Sequence, residues 1–421
     1  MKIPSFYSGT GKKTMEKGVV YKEKEEFKEA HWVLKNANAG KFYEFSFEME
    51  TFPNIRIKAI NNIEESGLIF GDNKVSGIPI ANSLYHLDIE FFHIEDKENI
   101  ESKRVQLLVN MDPKDLWKNI PSDRNAVFYK EDEDSFQGIF LDKKIVLASK
   151  RGRSHAHEGK FREDDFAINK LPADWSIVSV SDGAGSAMMA REGSRLATVS
   201  VNKFFCSSEI LNEIENSINI IYTSETSKEQ NEAQDNVIRM LYEGILSVYQ
   251  TLEKTASEND FSINDLHATL IFALVKKFSF GYVILSFGVG DCPINLVNTD
   301  FSKAELLNIM DVGEFSGGTR FITMKEIFKD DIISRFKITC VEDFSYLILM
   351  TDGIYDAKFL TENKLEDIES WKIFFKDLNG DNDDLAKVDF LNDTKIAQQL
   401  LHWTDFWSRG NHDDRTLAII Y

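Results

Sequence analysis

The chain has 421 residues, 43% of them hydrophobic and 12% aromatic, which is typical of a globular protein with a sizeable core and excludes a largely disordered chain. It carries 49 Lys and Arg against 69 Asp and Glu, a formal net charge of −20. This charge opposes nonspecific binding to nucleic acid and to anionic membranes, so we expect neither as a partner.

The N-terminal segment and the cysteines bear on the compartment. Residues 1–13 lack the apolar core of a signal peptide, and no later run is long enough to span a membrane. Cys206, Cys292 and Cys340 are widely separated and odd in number, which indicates reduced thiols rather than disulfides or a zinc site. A cytoplasmic protein is expected.

Residues 1–111 are predicted to form a β-rich domain. Apolar and polar residues alternate along FYEFSFEME, IRIKAI and LYHLDIEFF, and turn residues separate these runs. The stretch from Ser66 to Phe91 resembles the turn-and-strand pattern of bacterial immunoglobulin-like sandwich domains. That resemblance implies a binding or spacing role for this part of the chain.

Residues 112–137 are polar, contain two prolines and are predicted to be a linker. A second domain is predicted over residues 138–421, where strands both precede and follow helices, an order that indicates an α+β fold. Helices are expected over 194–205 and 236–252, and a mobile loop is expected over 223–235.

Acidic residues stand where several predicted strands begin or end. Asp182 follows SIVSVS, Asp352 follows YLILMT, and Asp413 with Asp414 precedes RTLAIIY. Carboxylates carried to one edge of a core repel each other unless a cation lies between them, and carboxylate oxygens suit hard divalent ions. Asp-Gly is also a very common turn dipeptide, so the alternative is that each acid belongs to a separate exposed turn.

Six segments, read in chain order, resemble the metal-dependent serine/threonine protein phosphatases of type 2C, in particular their divergent bacterial branch. They are RGRSHAHEGKFREDDF, VSVSDGAGSA, HATLIFALV with FGVGDCPINL, GEFSGGTRFIT, LILMTDGIYD and NHDDRTLAIIY. The resemblance implies a four-layer α-β-β-α sandwich of two antiparallel sheets. It also implies hydrolysis of phosphoserine or phosphothreonine in a phosphorylated protein, opposed by a cognate kinase, by a water that two Mg²⁺ or Mn²⁺ ions activate.

The same resemblance implies a set of metal ligands: Asp182, the backbone carbonyl of Gly183, Asp352, Asp413 and Asp164. Asp182 would bridge the two ions, and Asp164 would act mainly through bound water and so is also a catalytic candidate. If the match shifts by one residue, Glu163 or Asp165 takes the place of Asp164. Asp291, which follows ILSFGVG, is expected to orient a ligand or a water.

A phosphate-binding arginine is missing from its usual place. Animal members of the family carry it a few residues before the first acid, where this chain has Gly159. Arg162, Arg153, His155 and His157 are the alternatives, because guanidinium binds phosphate with two hydrogen bonds and histidine can act as a general acid. Arg162 and His155 are therefore catalytic candidates, although a structural role for His155 in its loop is an equal alternative.

Residues 357–409 form a long insert between the last two acidic motifs. Within it FFKDLNGDNDDL mimics a calcium loop, but Asn382 stands at the required glycine and Val388 at the terminal ligand, which excludes an EF-hand. The insert is expected to be a solvated pair of surface helices, with a gate or a partner-binding element as the alternatives.

Two functions follow from these observations. The leading one is an active metal-dependent phosphoprotein phosphatase. The alternative is a regulatory or scaffold protein that keeps the phosphatase fold, has little or no activity, and binds a partner through its N-terminal domain.

Overall fold

The computed structural model describes residues 10–111, 116–311, 318–329 and 332–421. The chain divides into two compact units, Met1–Trp117 and Lys118–Tyr421. Within the described residues, no helix is both long enough and apolar enough to cross a bilayer.

The first unit combines one helix with two small sheets. Helix α1 spans Thr10–Glu29. The strands are β1 (Ala37–Asn38), β2 (Tyr43–Ser46), β3 (Ile55–Asn61), β4 (Leu68–Gly71), β5 (Lys74–Gly77), β6 (Ser83–His93) and β7 (Asp96–Asn110). They form a four-stranded sheet in the order β1-β7-β6-β3 and a three-stranded sheet in the order β2-β5-β4. The β-rich region expected ahead of the sandwich is confirmed.

One core joins the two sheets of this unit. Leu68 and Val75 of the three-stranded sheet share it with Leu87, Ile89 and Leu107 of the four-stranded sheet. The buried residues of β6 and β7 recur at every second position, as expected for strands with one covered face. The likeness to immunoglobulin domains stays a prediction.

The second unit has eleven strands and seven helices among its described residues. The strands are β8 (Glu133–Phe140), β9 (Lys143–Lys150), β10 (Asp165–Lys170), β11 (Trp175–Ser181), β12 (Leu270–Phe278), β13 (Gly281–Val289), β14 (Ile294–Val297), β15 (Ala304–Leu306), β16 (Phe336–Val341), β17 (Tyr346–Met350) and β18 (Arg415–Ile420). The helices are α2 (Arg153–Glu158), α3 (Ala190–Phe204), α4 (Ser208–Thr223), α5 (Ser227–Glu258), α6 (Asp352–Lys358), α7 (Ile368–Leu378) and α8 (Ile396–Trp403).

These strands form two antiparallel sheets that pack face to face. One sheet has the order β10-β11-β12-β13-β16, and the other has the order β15-β14-β17-β18-β9-β8. Ile145 and Leu147 of β9 meet Val180 and Ile271 of the other sheet in the core between them. Helices α3 to α5 cover the outer face of the first sheet, and α6 to α8 cover the second. The predicted four-layer α-β-β-α sandwich is confirmed.

The mobile loop predicted over residues 223–235 is wrong. Only residues 224–226 separate α4 from α5, and α5 begins at Ser227. The first turns of α5 are exposed to solvent, since Ala233 is the only buried residue of 227–235, and their side chains are accordingly polar. Lys, Glu, Gln and Ala favour a helix even where nothing apolar marks its face, so the polar composition misled the prediction.

The insert over residues 357–409 is built into the core. Trp371 and Phe374 of α7 and Trp403 of α8 are almost fully buried against the six-stranded sheet. The expectation of a solvated surface pair is therefore wrong: α7 and α8 are most of the fourth layer. The aromatic side chains recur at helical spacing, which is the signature of a helix with one buried face.

Replacement of Phe374 tests the part that α7 has in the core. Phe374 is 2% exposed, so we expect Phe374→Ala to lower the free energy of unfolding by about 3–5 kcal/mol. The neighbouring Ile373 is 66% exposed on the same helix, and Ile373→Ala should change the free energy of unfolding by less than about 0.5 kcal/mol. Urea denaturation of the full chain measures both. Equal effects of the two changes would contradict a buried α7.

Candidate metal centre

The ends of four strands bring acidic residues to one edge of the sandwich. Asp182 directly follows β11 and Asp164 directly precedes β10, and these two strands pair antiparallel. Asp352 lies two residues after β17 and Asp413 two residues before β18, and these strands also pair. The charges of Asp352, Asp164 and Asp413 all act on Asp182, so the four carboxylates lie within electrostatic range of one another.

Asp182 lies at the centre of this group. Its backbone is fixed by Thr269, whose Oγ1 accepts from Asp182 N at 2.8 Å and whose N donates to Asp182 O at 2.8 Å. The pKa of Asp182 lies well above its usual range, because protein atoms surround the carboxylate and three other carboxylates lie near it. The pKa of Asp352 is also well above its usual range, from desolvation and then from the charge of Asp413. Within the described residues, neither carboxylate forms an ion pair with a lysine or arginine.

Asp164 presents one satisfied and one unsatisfied oxygen. Oδ2 accepts hydrogen bonds from Thr351 Oγ1 at 2.8 Å and from Thr416 Oγ1 at 2.7 Å. Oδ1 is buried and has no hydrogen-bond partner among the described residues. Burial, followed by the charge of Asp414, raises the pKa of Asp164 to about 7. The two threonines therefore fix the carboxylate with its second oxygen available to an ion or a water.

Two glycines allow the backbone to close around the acids. A Cβ atom on Gly183 would lie 2.8 Å from Glu163 O and 2.9 Å from Ala190 O, too close for any side chain. A Cβ atom on Gly152 would overlap the backbone of Asp413. A side chain at Gly183 or at Gly152 would therefore displace the backbone next to Glu163 and Ala190 or next to Asp413.

His155 and Asp414 form a buried ion pair behind the four acids. His155 Nδ1 lies 3.0 Å from Asp414 Oδ1, and Nε2 lies 3.6 Å from Glu163 Oε2. Asp414 also accepts from Gly152 N and Glu163 N, each at 2.5 Å. Burial opposes the charge of His155, but Asp414 and then Glu163 outweigh it and raise the pKa of His155 to about 9. Burial likewise opposes the charge of Asp414, yet His155 holds the pKa of that carboxyl below its usual value.

Asp414 is the functional neighbour that the sequence analysis missed. It was noted only as the companion of Asp413, because its partner His155 is 259 residues away in the chain. The sequence does contain a signal for this pair: His155 lies in SHAH of the first motif, and DDR supplies a second aspartate, Asp414. A buried histidine needs a hydrogen-bond acceptor, and Asp414 is a candidate for it.

The other three predicted basic candidates, Arg162, Arg153 and His157, form hydrogen bonds within the fold. Arg162 is 2% exposed, and its guanidinium donates to Ser149 Oγ at 2.5 Å and to the carbonyls of Asp164 at 3.0 Å and Glu131 at 3.2 Å. Arg153 donates to the carbonyl and the carboxylate of Asp405. His157 Nδ1 accepts from the backbone of Lys118. Each of these side chains is therefore engaged within the fold.

Asp291 joins the group from the end of β13. One oxygen each of Asp182 and Asp291 and the sulfur of Cys292 lie within 4.8 Å of one another. Asp291 Oδ2 accepts from Thr319 Oγ1 at 2.8 Å, and its buried Oδ1 has no hydrogen-bond partner among the described residues. Thr319 belongs to the segment GEFSGGTRFIT, of which residues 313–317 lie outside the described residues.

The chemistry of this group fits hard divalent cations. The donors are carboxylate and carbonyl oxygens, which Mg²⁺ and Mn²⁺ prefer. Buried carboxylate oxygens without partners, on Asp164 and Asp291, are costly unless an ion or a water completes them. Burial raises the pKa of the Cys292 thiol well above its usual range, and a sulfur donor suits these hard ions less well than oxygen does.

The family model described as Protein phosphatase 2C matches residues 151–399, more than half of the chain. The chain belongs to the protein phosphatase 2C family. Its members are metal-dependent protein serine/threonine phosphatases, and the segments that resembled this family in the sequence are those that carry the acids of the centre. No curated protein sequence matches the chain significantly.

Solved structures of serine and serine/threonine phosphatases match the chain at low sequence identity and low TM-score. A bacterial serine phosphatase is 15% identical, with 66% of this chain and 97% of that chain covered and a TM-score of 0.39. A serine/threonine phosphatase from Staphylococcus aureus is 15% identical, with 67% and 95% covered and a TM-score of 0.38. The catalytic domain of a serine/threonine phosphatase in complex with two manganese ions is 11% identical, with 66% and 96% covered and a TM-score of 0.37.

The raised pKa values predict how stability depends on pH without metal. Burial is the largest cause that raises the pKa of Glu163 and of Asp164 to about 7, so the folded chain holds more protons than the unfolded chain from about pH 4 upwards. The stabilisation is complete below the unfolded pKa values and is lost as the pH rises through about 7. In chelator, we expect the free energy of unfolding to fall by at least about 1.4 kcal/mol from about pH 5.5 to about pH 8.

Saturating Mn²⁺ should reverse this trend, because ion binding requires deprotonated carboxylates. Urea denaturation at a series of pH values measures the free energy of unfolding. Without metal, Asp182→Asn should make the dependence of this free energy on pH shallower. A free energy that rises with pH in chelator would contradict the predicted repulsion.

A methyl group at Gly183 tests the close approach of the backbone. Gly183→Ala forces its Cβ against Glu163 O and Ala190 O, so we expect it to cost about 1–3 kcal/mol of stability. Gly185→Ala is the matched control, since its Cβ meets only Glu163 Oε2 at 3.9 Å and should cost less than about 0.5 kcal/mol. Thermal unfolding in chelator compares the two. A tolerated Gly183→Ala would show that the backbone is not held as tightly as described.

Proposed function

We propose that this chain is an active phosphatase that removes phosphate from phosphoserine and phosphothreonine in proteins with two Mg²⁺ or Mn²⁺ ions. The observation that carries the proposal is the convergence of Asp164, Asp182, Asp352 and Asp413 without a lysine or arginine ion pair to Asp182 or Asp352 within the described residues. Carboxylates arranged in this way need a counter-charge, and a pair of divalent ions supplies it.

The proposed ligands are those that the family resemblance implies, and the convergence of the acids supports them: Asp182, the carbonyl of Gly183, Asp352, Asp413 and, through water, Asp164. Asp182 is the proposed bridge because the other carboxylates act on it from several sides. When bound, the ions supply a water of lowered pKa and neutralise charge on the phosphate oxygens. Asp291 is proposed to orient a ligand or a water, since its Oδ2 is held by Thr319 and its Oδ1 has no hydrogen-bond partner within the part of the chain that the structure describes.

Two of the predicted catalytic residues are proposed to have positioning roles. His155 lies between Asp414 and Glu163, so it holds the loop of the first motif through a buried ion pair. Arg162 donates through Nη1 to the carbonyl of Asp164 and through Nε to the carbonyl of Glu131, so it holds the backbone of the first motif. Of the three predicted catalytic residues, only Asp164 is therefore proposed to act directly at the reacting centre.

The proposed substrate is a phosphorylated protein, and the proposed opposing enzyme is a protein kinase. The net charge of −20 disfavours a strongly acidic substrate, because like charges repel at long range. We propose that the β-rich region of residues 1–111 selects the partner, because its cross-strand neighbours Leu84 and Leu108 are 47% and 41% exposed.

Hydrolysis of a phosphopeptide by the full chain tests the proposal. We expect phosphate release with Mn²⁺, none above background in chelator, and a loss of more than about 100-fold in Asp182→Asn, since even partners behind the ligands are worth about 10–100-fold. Asp235→Asn is the control, because Asp235 is exposed on α5 outside the described carboxylate group and should keep the wild-type rate. Equal rates in chelator and in Mn²⁺ would overturn the proposal.

The burial of Arg162 favours the alternative of a phosphatase-fold scaffold with little turnover, because this candidate for phosphate binding donates to the carbonyls of Asp164 and Glu131 instead. Under that alternative, Mn²⁺ binds and phosphopeptides are not hydrolysed. A panel of phosphoserine and phosphothreonine peptides, assayed beside Mn²⁺ titration of the same sample, distinguishes the two.

A further inference from the structure

Lys130 is a deeply buried cation in a segment that the sequence predicts to be a linker. Its side chain is 7% exposed. Nζ has four partners, which are Asp164 O at 2.8 Å, Arg191 O at 3.1 Å, Ser194 Oγ at 3.1 Å and Asp165 Oδ2 at 2.8 Å. Lysine is almost never fully buried unless it is paired, because removing its charge from water costs free energy. The burial of Lys130 therefore indicates a structural role for its ammonium group.

The partners of Lys130 belong to two elements of the metal centre. Asp164 and Asp165 lie in the first acidic motif, and Arg191 and Ser194 lie in the first turns of α3. Ser194 Oγ also donates to the carbonyl of the residue before Asp164. The ammonium group therefore joins the backbone of the first motif to the start of α3, and the charge of Asp165 neutralises it.

The residues next to Lys130 in the chain also form hydrogen bonds with the first motif and with α3. Arg162 Nε donates to Glu131 O at 3.2 Å, and Arg151 N donates to Asp132 O at 2.8 Å. Arg191 Nη2 donates to Val127 O at 2.8 Å. Residues 127–132, which we name the strap, are thus fixed to the first motif and to α3.

We propose that Lys130 is a positioning residue for the metal centre, which sets the place of the Asp164 backbone through the strap. The proposal rests on the function proposed above, because it concerns the same carboxylates. Thr351 and Thr416 hold only Oδ2 of Asp164. The direction of the other oxygen, Oδ1, therefore also depends on where the backbone of Asp164 is fixed. Lys130 and Arg162 donate to that carbonyl at 2.8 and 3.0 Å.

Mn²⁺ affinity of the full chain, measured by the electron paramagnetic resonance signal of free Mn²⁺, tests the proposal without relying on turnover. We expect Lys130→Met to weaken the affinity by about 10–100-fold, as for partners behind metal ligands, and excess Mn²⁺ to restore most of the phosphatase rate. Lys358→Met is the matched control: Lys358 is 14% exposed and pairs with Asp377 at 2.7 Å. The Lys358→Met variant should lose about as much stability as Lys130→Met, but its Mn²⁺ affinity should stay within about twofold of the wild-type value.

A milder variant decides the question if Lys130→Met does not fold. Ser194→Ala removes one acceptor of Lys130, and we expect it to weaken Mn²⁺ binding, whereas Ser217→Ala on α4 should not. Ser217 is a fair match because it is also buried, and its hydroxyl also donates to a backbone carbonyl, Glu213 O, and accepts from a side chain, Asn236.

The outcomes separate this inference from the proposed function. Wild-type affinity in Lys130→Met, or in Ser194→Ala where the former does not fold, overturns the role of Lys130 alone. A wild-type chain that binds Mn²⁺ but hydrolyses no phosphopeptide overturns the proposed function, and the affinities of the variants still decide the role of Lys130. A wild-type chain that binds no Mn²⁺ overturns both.

Discussion

Repulsion among carboxylates is the constraint on which the arrangement of this protein depends. The fold neutralises the outer acids of the centre with its own cations: Asp414 pairs with His155, and Asp165 pairs with Lys130. Asp182 and Asp352, at the middle, have no such partner among the described residues. Among the described residues, the chain thus supplies a counter-charge to Asp414 and Asp165 but not to Asp182 and Asp352, where the proposed ions would lie. That separation is what distinguishes a metal centre from an ordinary acidic surface.

The sandwich makes the repulsion tolerable because it holds the acids on strands that cannot easily move apart. Two sheets packed through a continuous apolar core fix the ends of β11, β17 and β18 relative to each other. Glycines at the closest approaches let backbone lie against backbone, as at Gly152 and Gly183. Hydroxyl donors from Thr351 and Thr416 then orient Asp164 without adding charge.

Much of this architecture could be predicted from the sequence, and the remainder depended on contacts distant in the chain. Apolar runs that end in aspartate indicated both the strands and the acids, because burial and turn chemistry are local properties. The pair of His155 with Asp414 spans 259 residues, and no local pattern specifies it. The polar start of α5 and the strap were both predicted as irregular, because their contacts involve backbone and polar groups that hydrophobic periodicity does not detect.

The burial of Arg162 constrains how phosphate is recognised at the proposed centre. Its guanidinium donates to Ser149 Oγ and to the carbonyls of Asp164 and Glu131. If the side chain turned outward, Asp164 O would keep Lys130 and Ser149 Oγ would keep Thr416, but Glu131 O would lose the donor Arg162 Nε, at a cost of about 1–3 kcal/mol. That cost exceeds what one exposed ion pair with phosphate returns, which is about 0–1 kcal/mol. Arg162 therefore stays with the backbone, and under the proposed function phosphate binding depends more on the divalent ions than on this arginine.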